Sequence, residues 1–352
     1  MPDMNTQRLI RARRAKGLSL RALGARLGTS AMAISKYERG ITTPSPEVLQ
    51  RLLDALDIDA AFLAEVDTPE LEDVEYRTLH EVGLSAIQEK RILADVTSQL
   101  EVRLECERLI PGLRPGSYQL PRLPDRIDDY DDIETVAEAL RDAWRLSDLP
   151  VKNLLEAIET HGIRVFTTGM DKAERFDGFS AVHAGQPVIV LGSGWAGDRQ
   201  RFTLAHELGH HVLKGRLEKR LDEETACHRF AGAFLVPKQR VIAILGWHRK
   251  AITPYELYVL KHEWGVSMQA WVHRAHDAGV ISAQAMQAHW SIFKRNKWFR
   301  NEPLEQYPIE QPFRQYTAVA QELQKGRIDP VMAARLLKVP QEHLVGLLEL
   351  GG

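Results

Sequence analysis

Apolar residues recur every three or four positions through most of this chain and run together only in a short central stretch, which predicts helices around one small sheet. Leu9 and Ile10 open an amphipathic segment that ends near Gly17. Leu20, Leu23 and Leu27 form a second stripe ending at Gly28, and Ala31–Arg39 form a third ending at Gly40. Ser19 is placed to cap the second helix, and Thr29 or Ser30 the third. Two short helices across a Gly-containing turn predict a helix-turn-helix inside an all-α bundle spanning Thr6–Leu63. From Leu84 to Ile110, Ile87, Ile92, Leu93, Val96, Leu100, Val102, Leu104 and Leu109 interleave with charged residues. This stretch predicts one helix, either a solvated spacer or a dimer seam. Pro and Gly in 111–116, then a Pro-rich and acidic stretch over 119–132, mark a flexible boundary.

Further on, Ile133, Val136, Ala137, Leu140 and Trp144 form one helical stripe, and Val151, Leu154, Leu155 and Ile158 another. Gly162–Phe166 predicts a strand, and Gly178–His183 with Val188–Leu191 predicts a hairpin turning at Gly185-Gln186. Phe202, Leu204, Ala205 and Leu208, then Cys227, Phe230, Ala231, Phe234 and Leu235, predict two buried helices, the second stopped by Pro237. Gly209 is a poor helix former, so it predicts close packing against a metal or a neighbouring strand. The tail Gly326–Leu348 predicts two short helices with a break. It carries too little positive charge for a second nucleic-acid contact, so it is a folding or protein-docking module.

The chemistry concentrates at His206-Glu207-Leu208-Gly209-His210. Positions i and i+4 put both imidazoles on one helix face, where they can share a tetrahedral metal. Glu207, beside the first of them, is placed to take a proton from an attacking water. A third ligand is available in Glu224, near the start of the next helix, which would complete a His-His-Glu zinc set with one position left open. Glu223 is the fallback. His228, one turn after Glu224, is a further candidate, with a helix histidine as its plainer role. His211 points away from the His206–His210 face. Such a site predicts a zinc-dependent peptidase, in which an edge strand beside the metal helix pairs with the extended substrate backbone; the residues do not say which strand.

Charge changes the picture only through its distribution, because the net charge is −2. Arg8, Arg11, Arg13, Arg14, Lys16, Arg21, Arg26, Lys36 and Arg39 face only Asp3 and Glu38 in the opening segment, whereas Glu65–Glu75 is acidic. That asymmetry predicts a nucleic-acid-facing N-terminus. Cys106 and Cys227 are far apart and outside any CxxC pair, which disfavours a disulfide scaffold and fits a reducing cytoplasm. There is no apolar run of membrane length and no signal-peptide core, so the expected location is cytoplasmic, with no membrane partner.

The run Arg199–His210, followed by Glu224-x-x-x-His228-Arg-Phe-Ala231 and Leu235-Val-Pro237, resembles the ImmA/IrrE family of metallopeptidases. The family usually has Asn where His228 stands. The resemblance implies that His206, His210 and Glu224 ligate zinc and that Glu207 is the general base. It also implies a protein substrate of the repressor or antitoxin type, often itself a helix-turn-helix protein. Gly265–Arg274 and Gly279–Ser282 match the same family as a packing segment. Gly17–Ser30 with Ile34-Ser-Lys-Tyr-Glu38-Arg-Gly40 resembles the Cro/CI-type (XRE) DNA-binding family, which implies double-stranded operator DNA as a partner. That family has Gln where Leu20 stands and often near Ala31; without those amides, base selectivity is weakened. Arg21, Lys36 and Arg39 are the phosphate-contact candidates. Met32 and Ser35, with Ala31 on the same outward face, are the groove candidates.

The expected fold is therefore mainly α with a small β-sheet, an α+β arrangement. Its expected parts are a helix-turn-helix domain at 1–66, a helical connector and linker at 67–130, a zincin-like metallopeptidase domain at 131–283 and a helical C-terminal module at 284–352. The expected function is a DNA-binding regulator that cleaves a repressor or antitoxin-like protein, with a second copy of the chain as a further candidate partner. The alternative is a non-proteolytic regulator or antitoxin whose peptidase fold is a metal sensor or docking module. A non-proteolytic zinc hydrolase ranks last, because no residue pattern indicates a small-molecule pocket.

Overall fold

Three serines start three of the first helices by accepting a backbone N–H three residues on: Ser19 from Ala22, Ser30 from Ala33 and Ser45 from Val48. In this computed structural model, the described residues are 5–58, 60–64, 71–78, 84–116, 118–169, 176–299, 301–337, 339–340 and 344. The opening helices are α1 (Thr6–Ala15), α2 (Leu20–Leu27), α3 (Ala31–Glu38), α4 (Pro46–Leu56) and α5 (Ala60–Ala64). Of the two candidate caps for α3, Ser30 is the one used. Leu9, Leu23, Leu27, Ile34, Leu52 and Leu56 form the shared core. The turn between α2 and α3 is tight enough to require Gly24: a Cβ there would stand 2.8 Å from the Thr29 carbonyl oxygen and 3.1 Å from the Ala31 nitrogen.

Strand β1 (Glu72–Thr78) and the long helix α6 (Ala86–Leu109) follow, α6 opening on a capping box between Ser85 and Gln88. Ile92, Val96, Leu100 and Cys106 are buried, and α6 packs on α1. The predicted helix is present, with one face packed against α1. The chain divides into two compact units. One comprises Met1–Glu72, Thr78–Arg114 and Val319–Gly352; the other comprises Asp73–Arg77 and Pro115–Ala318.

The second unit contains α7 (Asp132–Ala143), α8 (Leu154–Thr160), β2 (Arg164–Thr168), β3 (Phe176–His183), β4 (Gln186–Gly192), α9 (Gly197–Leu213), α10 (Glu223–Leu235), α11 (Lys238–Leu245), α12 (Pro254–Trp264), α13 (Met268–Asp277) and α14 (Ala283–Arg295). Helix α15 (Phe313–Gln324) crosses the unit boundary, and α16 (Pro330–Leu337) packs on α6. The second helix expected in the tail, like most of the acidic stretch after Ala64, lies outside the described residues. The fold is mainly α with a small mixed sheet. β3 and β4 form the antiparallel hairpin, β2 joins β4 in parallel, and β1 adds to the outer edge of β3, giving the order β1-β3-β4-β2.

Helices α9 and α10 cross at Gly209. A Cβ there would lie 3.1 Å from the Phe230 ring and 3.3 Å from the Cys227 Cα, so the glycine serves a helix–helix contact, not a strand. Around this pair, buried cations tie helix ends together. Arg274 forms a bidentate pair with Glu134 at 2.7 and 3.0 Å and donates to the Val236 carbonyl at the end of α10. Arg201 donates to the Val151, Trp264 and Gly265 carbonyls. Buried charges are kept only when paired in this way, and removing one partner of such a set is strongly destabilising. The result is a rigid mount for α9 and the start of α10. Among the described residues, no helix is long and apolar enough to cross a membrane.

Candidate functional site: a metal centre beside a strand edge

Helix α9 presents His206, Glu207 and His210, and the first turn of α10 presents Glu223 and Glu224. The Nε2 atoms of His206 and His210 stand 3.2 Å apart. One oxygen of Glu224 lies 3.3 Å from His206 Nε2 and the other 3.3 Å from His210 Nε2. Tetrahedral zinc with ligand bonds of ~2.0–2.1 Å separates its ligand atoms by roughly 3.3–3.4 Å. The two imidazole nitrogens thus stand at about the spacing of two ligands of that tetrahedron, and the Glu224 carboxylate spans them with one oxygen to each ring, a donor chemistry that suits zinc. Glu223 sits on the other nitrogen of His210, 3.0 Å from Nδ1, where its carboxylate can fix the orientation of the ring.

Two more groups reach the same place. The ligand atoms of His206, His210 and Cys227 lie within 4.8 Å of one another, as do those of His206, Glu224 and His228. The His228 ring meets that of His206 edge-on, with centroids 4.6 Å apart. Cys227, which by sequence is a small buried residue, is indeed buried but has its thiol at the site. Burial raises that thiol above its ordinary range, more than its hydrogen bond with His210 lowers it.

The electrostatics favour a cation. Hydrogen bonds from His206 and then His210 hold the Glu224 carboxyl well below the usual range, against its partial burial. Burial pulls His210 down, but hydrogen bonds with Cys227 and Glu224 outweigh it and lift the ring to about 11. His211 is pushed down to about 4, by burial and then by His210 and Lys214. It lines a cavity of about 330 Å³ next to the site, with Ser180, Val182, His210, Leu217 and Leu221.

Glu207 is buried, and its Oε2 accepts a hydrogen bond from Ser180 Oγ at 2.9 Å. Ser180 does not stand out in the sequence. Its only signal is a hydroxyl on the strand face shared with Gly178 and Val182.

Residues 158–276, which contain this constellation, match the IrrE N-terminal-like domain family, and residues 9–63 match a helix-turn-helix family. The chain thus joins a helix-turn-helix region to a region similar to the IrrE N-terminal-like domain. No curated protein matches it. Within the helix-turn-helix part of this fusion, Arg21, Met32, Lys36 and Arg39 are exposed, Met32 by 68%, while Ala31 and Ser35 are half-buried and Ile34 is buried. Not all of the basic excess faces outward. Arg8 and Arg11 are buried against Glu101 of α6, and Arg13 forms a bidentate pair with Glu38 at 2.5 and 2.9 Å. These three arginines belong to the fold.

Proposed function

We propose that this fusion is a DNA-binding regulator whose second domain is a zinc-dependent endopeptidase acting on a protein. The observation that carries the reading is the convergence of His206 and His210, 3.2 Å apart at Nε2, with the Glu224 carboxylate that sets one oxygen 3.3 Å from each, and with the Glu207 carboxylate on the helix of the two histidines. A zinc held there would supply Lewis-acid polarisation of the scissile carbonyl and make water acidic enough to attack at neutral pH. Glu207 takes the proton of the attacking water and passes it to the leaving amine. Ser180 keeps the Glu207 carboxylate pointed for that transfer, and Glu223 steadies the His210 ring. Arg21, Lys36 and Arg39 hold DNA phosphates, and Met32, Ser35 and Ala31 face the groove. The substrate class is a repressor or antitoxin-like protein. The helix-turn-helix domain either brings the peptidase to a promoter-bound repressor or is itself the target.

One observation favours a second reading, in which the domain is a metal-binding sensor or dock. The ligand atom of Cys227 lies within 4.8 Å of those of His206 and His210, where a thiolate would take the position a peptidase leaves for water. Purified protein should carry about one zinc per chain, lost in His206→Ala. Glu207→Gln decides between the readings. For a peptidase, zinc and DNA binding persist while cleavage falls by at least ~10²-fold and the cellular response disappears. An unchanged response in that variant would sink the enzyme reading and leave the sensor.

A further inference from the structure

The outer edge of β3 is already occupied. β3 pairs with β4 on one side and with β1 on the other. β1 comes from the segment between α5 and α6, and its Asp73–Arg77 groups with the peptidase unit although the residues on both sides group with the DNA-binding unit. This short piece of the chain thus lies as an added strand on the sheet that supports the metal centre.

That edge adjoins the reacting groups. Gly178, Ser180 and Val182 share one face of β3. A Cβ on Gly178 would stand 2.9 Å from the Thr203 side chain of α9, Ser180 bonds Glu207, and Val182 lines the cavity with His210. A peptide added to the outer edge continues the same pleat, so every second side chain would project on the face that carries Ser180 and the metal donors. Strand addition of this kind draws its affinity from main-chain hydrogen bonds, which any extended segment supplies. β4 fills the inner edge, so the outer edge is the place on β3 where an extended substrate can pair.

We propose that residues 72–78 are an intramolecular occupant of the substrate edge, and that an extended segment of a protein substrate must displace them to reach the metal centre. The importance of this edge rests on the peptidase reading; its occupation by β1 does not. Tethering gives the resident strand a high effective concentration, so it is released only by a segment that pairs better or by an event that pulls it away.

The test uses the full-length, zinc-loaded chain on a Glu207→Gln background, so that no outcome depends on turnover. Neighbouring residues of a strand direct their N–H groups to opposite edges, so the pair Val74→Pro with Glu75→Pro removes a ladder donor toward β3 in either register. The probe is a fluorescent peptide with the sequence of residues 70–80. It should bind the proline variant at least about tenfold more tightly than the unaltered chain, because the competing tethered strand is gone. Equal binding, with zinc content and circular dichroism preserved, would overturn the proposal. Hydrogen exchange on the chain without the proline pair provides a check that no substitution can spoil. Every second amide within 72–78, those directed at β3, should be protected, and excess peptide should release them while β3 stays protected. Exchange of 72–78 at the rate of an unstructured segment would overturn it equally. Cutting within 72–78 in the zinc-loaded wild type, absent in Glu207→Gln, would also overturn it by making the strand a substrate. If the wild type cleaves nothing, the peptidase reading falls while the binding result stands by itself.

Discussion

At the scale of the residue, the site is a set of groups that compete for protons, which a zinc ion would replace under the proposed function. His210 has its pKa lifted to about 11 in the metal-free site, so at neutral pH the ring carries a proton. Zinc binds only the neutral ring, so each zinc that enters must expel that proton. Zinc affinity should therefore tighten about tenfold per pH unit between roughly pH 6 and 8, as measured by competition with a chelator of known affinity. A flat profile would mean that His210 is already neutral or is not a ligand. Ser180 offers a finer test. Ser180→Ala removes one hydrogen bond to a charged acceptor, an interaction that contributes about 1.5–3 kcal/mol. If Ser180 orients the base, kcat should fall by roughly tenfold or more with KM and zinc content unchanged. A change in KM alone would place Ser180 in substrate binding instead.

At the scale of the element, the helices follow their local signals closely and the strands less so. The stretch Leu84–Ile110 contains α6 (Ala86–Leu109), bounded by the capping box at Ser85. Strand β2 begins at Arg164, later than its apolar run suggests, because Gly162 is a turn residue with φ +90. A Cβ on Gly162 would lie 2.6 Å from the Gly116 carbonyl, so the chain must pass that contact before it can extend. Gly24 has the same kind of role in the helix-turn-helix. Gly24→Ala should cost about 1–3 kcal/mol through overpacking against the Thr29 and Ala31 backbone, seen as a lower denaturation midpoint. An unchanged midpoint would show that the turn has room to move.

At the scale of the whole molecule, net charge hides two different settings of basic side chains, paired within the fold and exposed on α3. Arg13 is locked to Glu38 and to the Leu18 carbonyl, so Arg13→Ala should lower stability and leave the salt dependence of DNA binding nearly unchanged. Lys36 is exposed on α3, and Lys36→Ala should weaken DNA binding across sequences and reduce the slope of log affinity against log salt by about one. Titrations with duplex DNA at several salt concentrations separate the two. If Arg13→Ala reduced the slope as Lys36→Ala does, Arg13 would belong to the DNA face after all.

Short-range pattern determined the helical segments, the serine caps, the hairpin and the pairing of His206 with His210 one turn apart. Each depends on residues within a few positions of one another, where helix and strand periodicity is legible. The sequence also made Glu224 a candidate, but its reach to both imidazoles depends on how α10 crosses α9 at Gly209. The contact of Ser180 with Glu207, the thiol of Cys227 at the site and the inward turn of Arg8, Arg11 and Arg13 all join residues far apart along the chain. The seating of β1 against β3 is of the same kind. Packing between elements sets those contacts, and no local periodicity encodes them. The sequence by itself thus determined which chemistry is present, and the tertiary structure decided which groups meet, because convergence is a property of the assembled core.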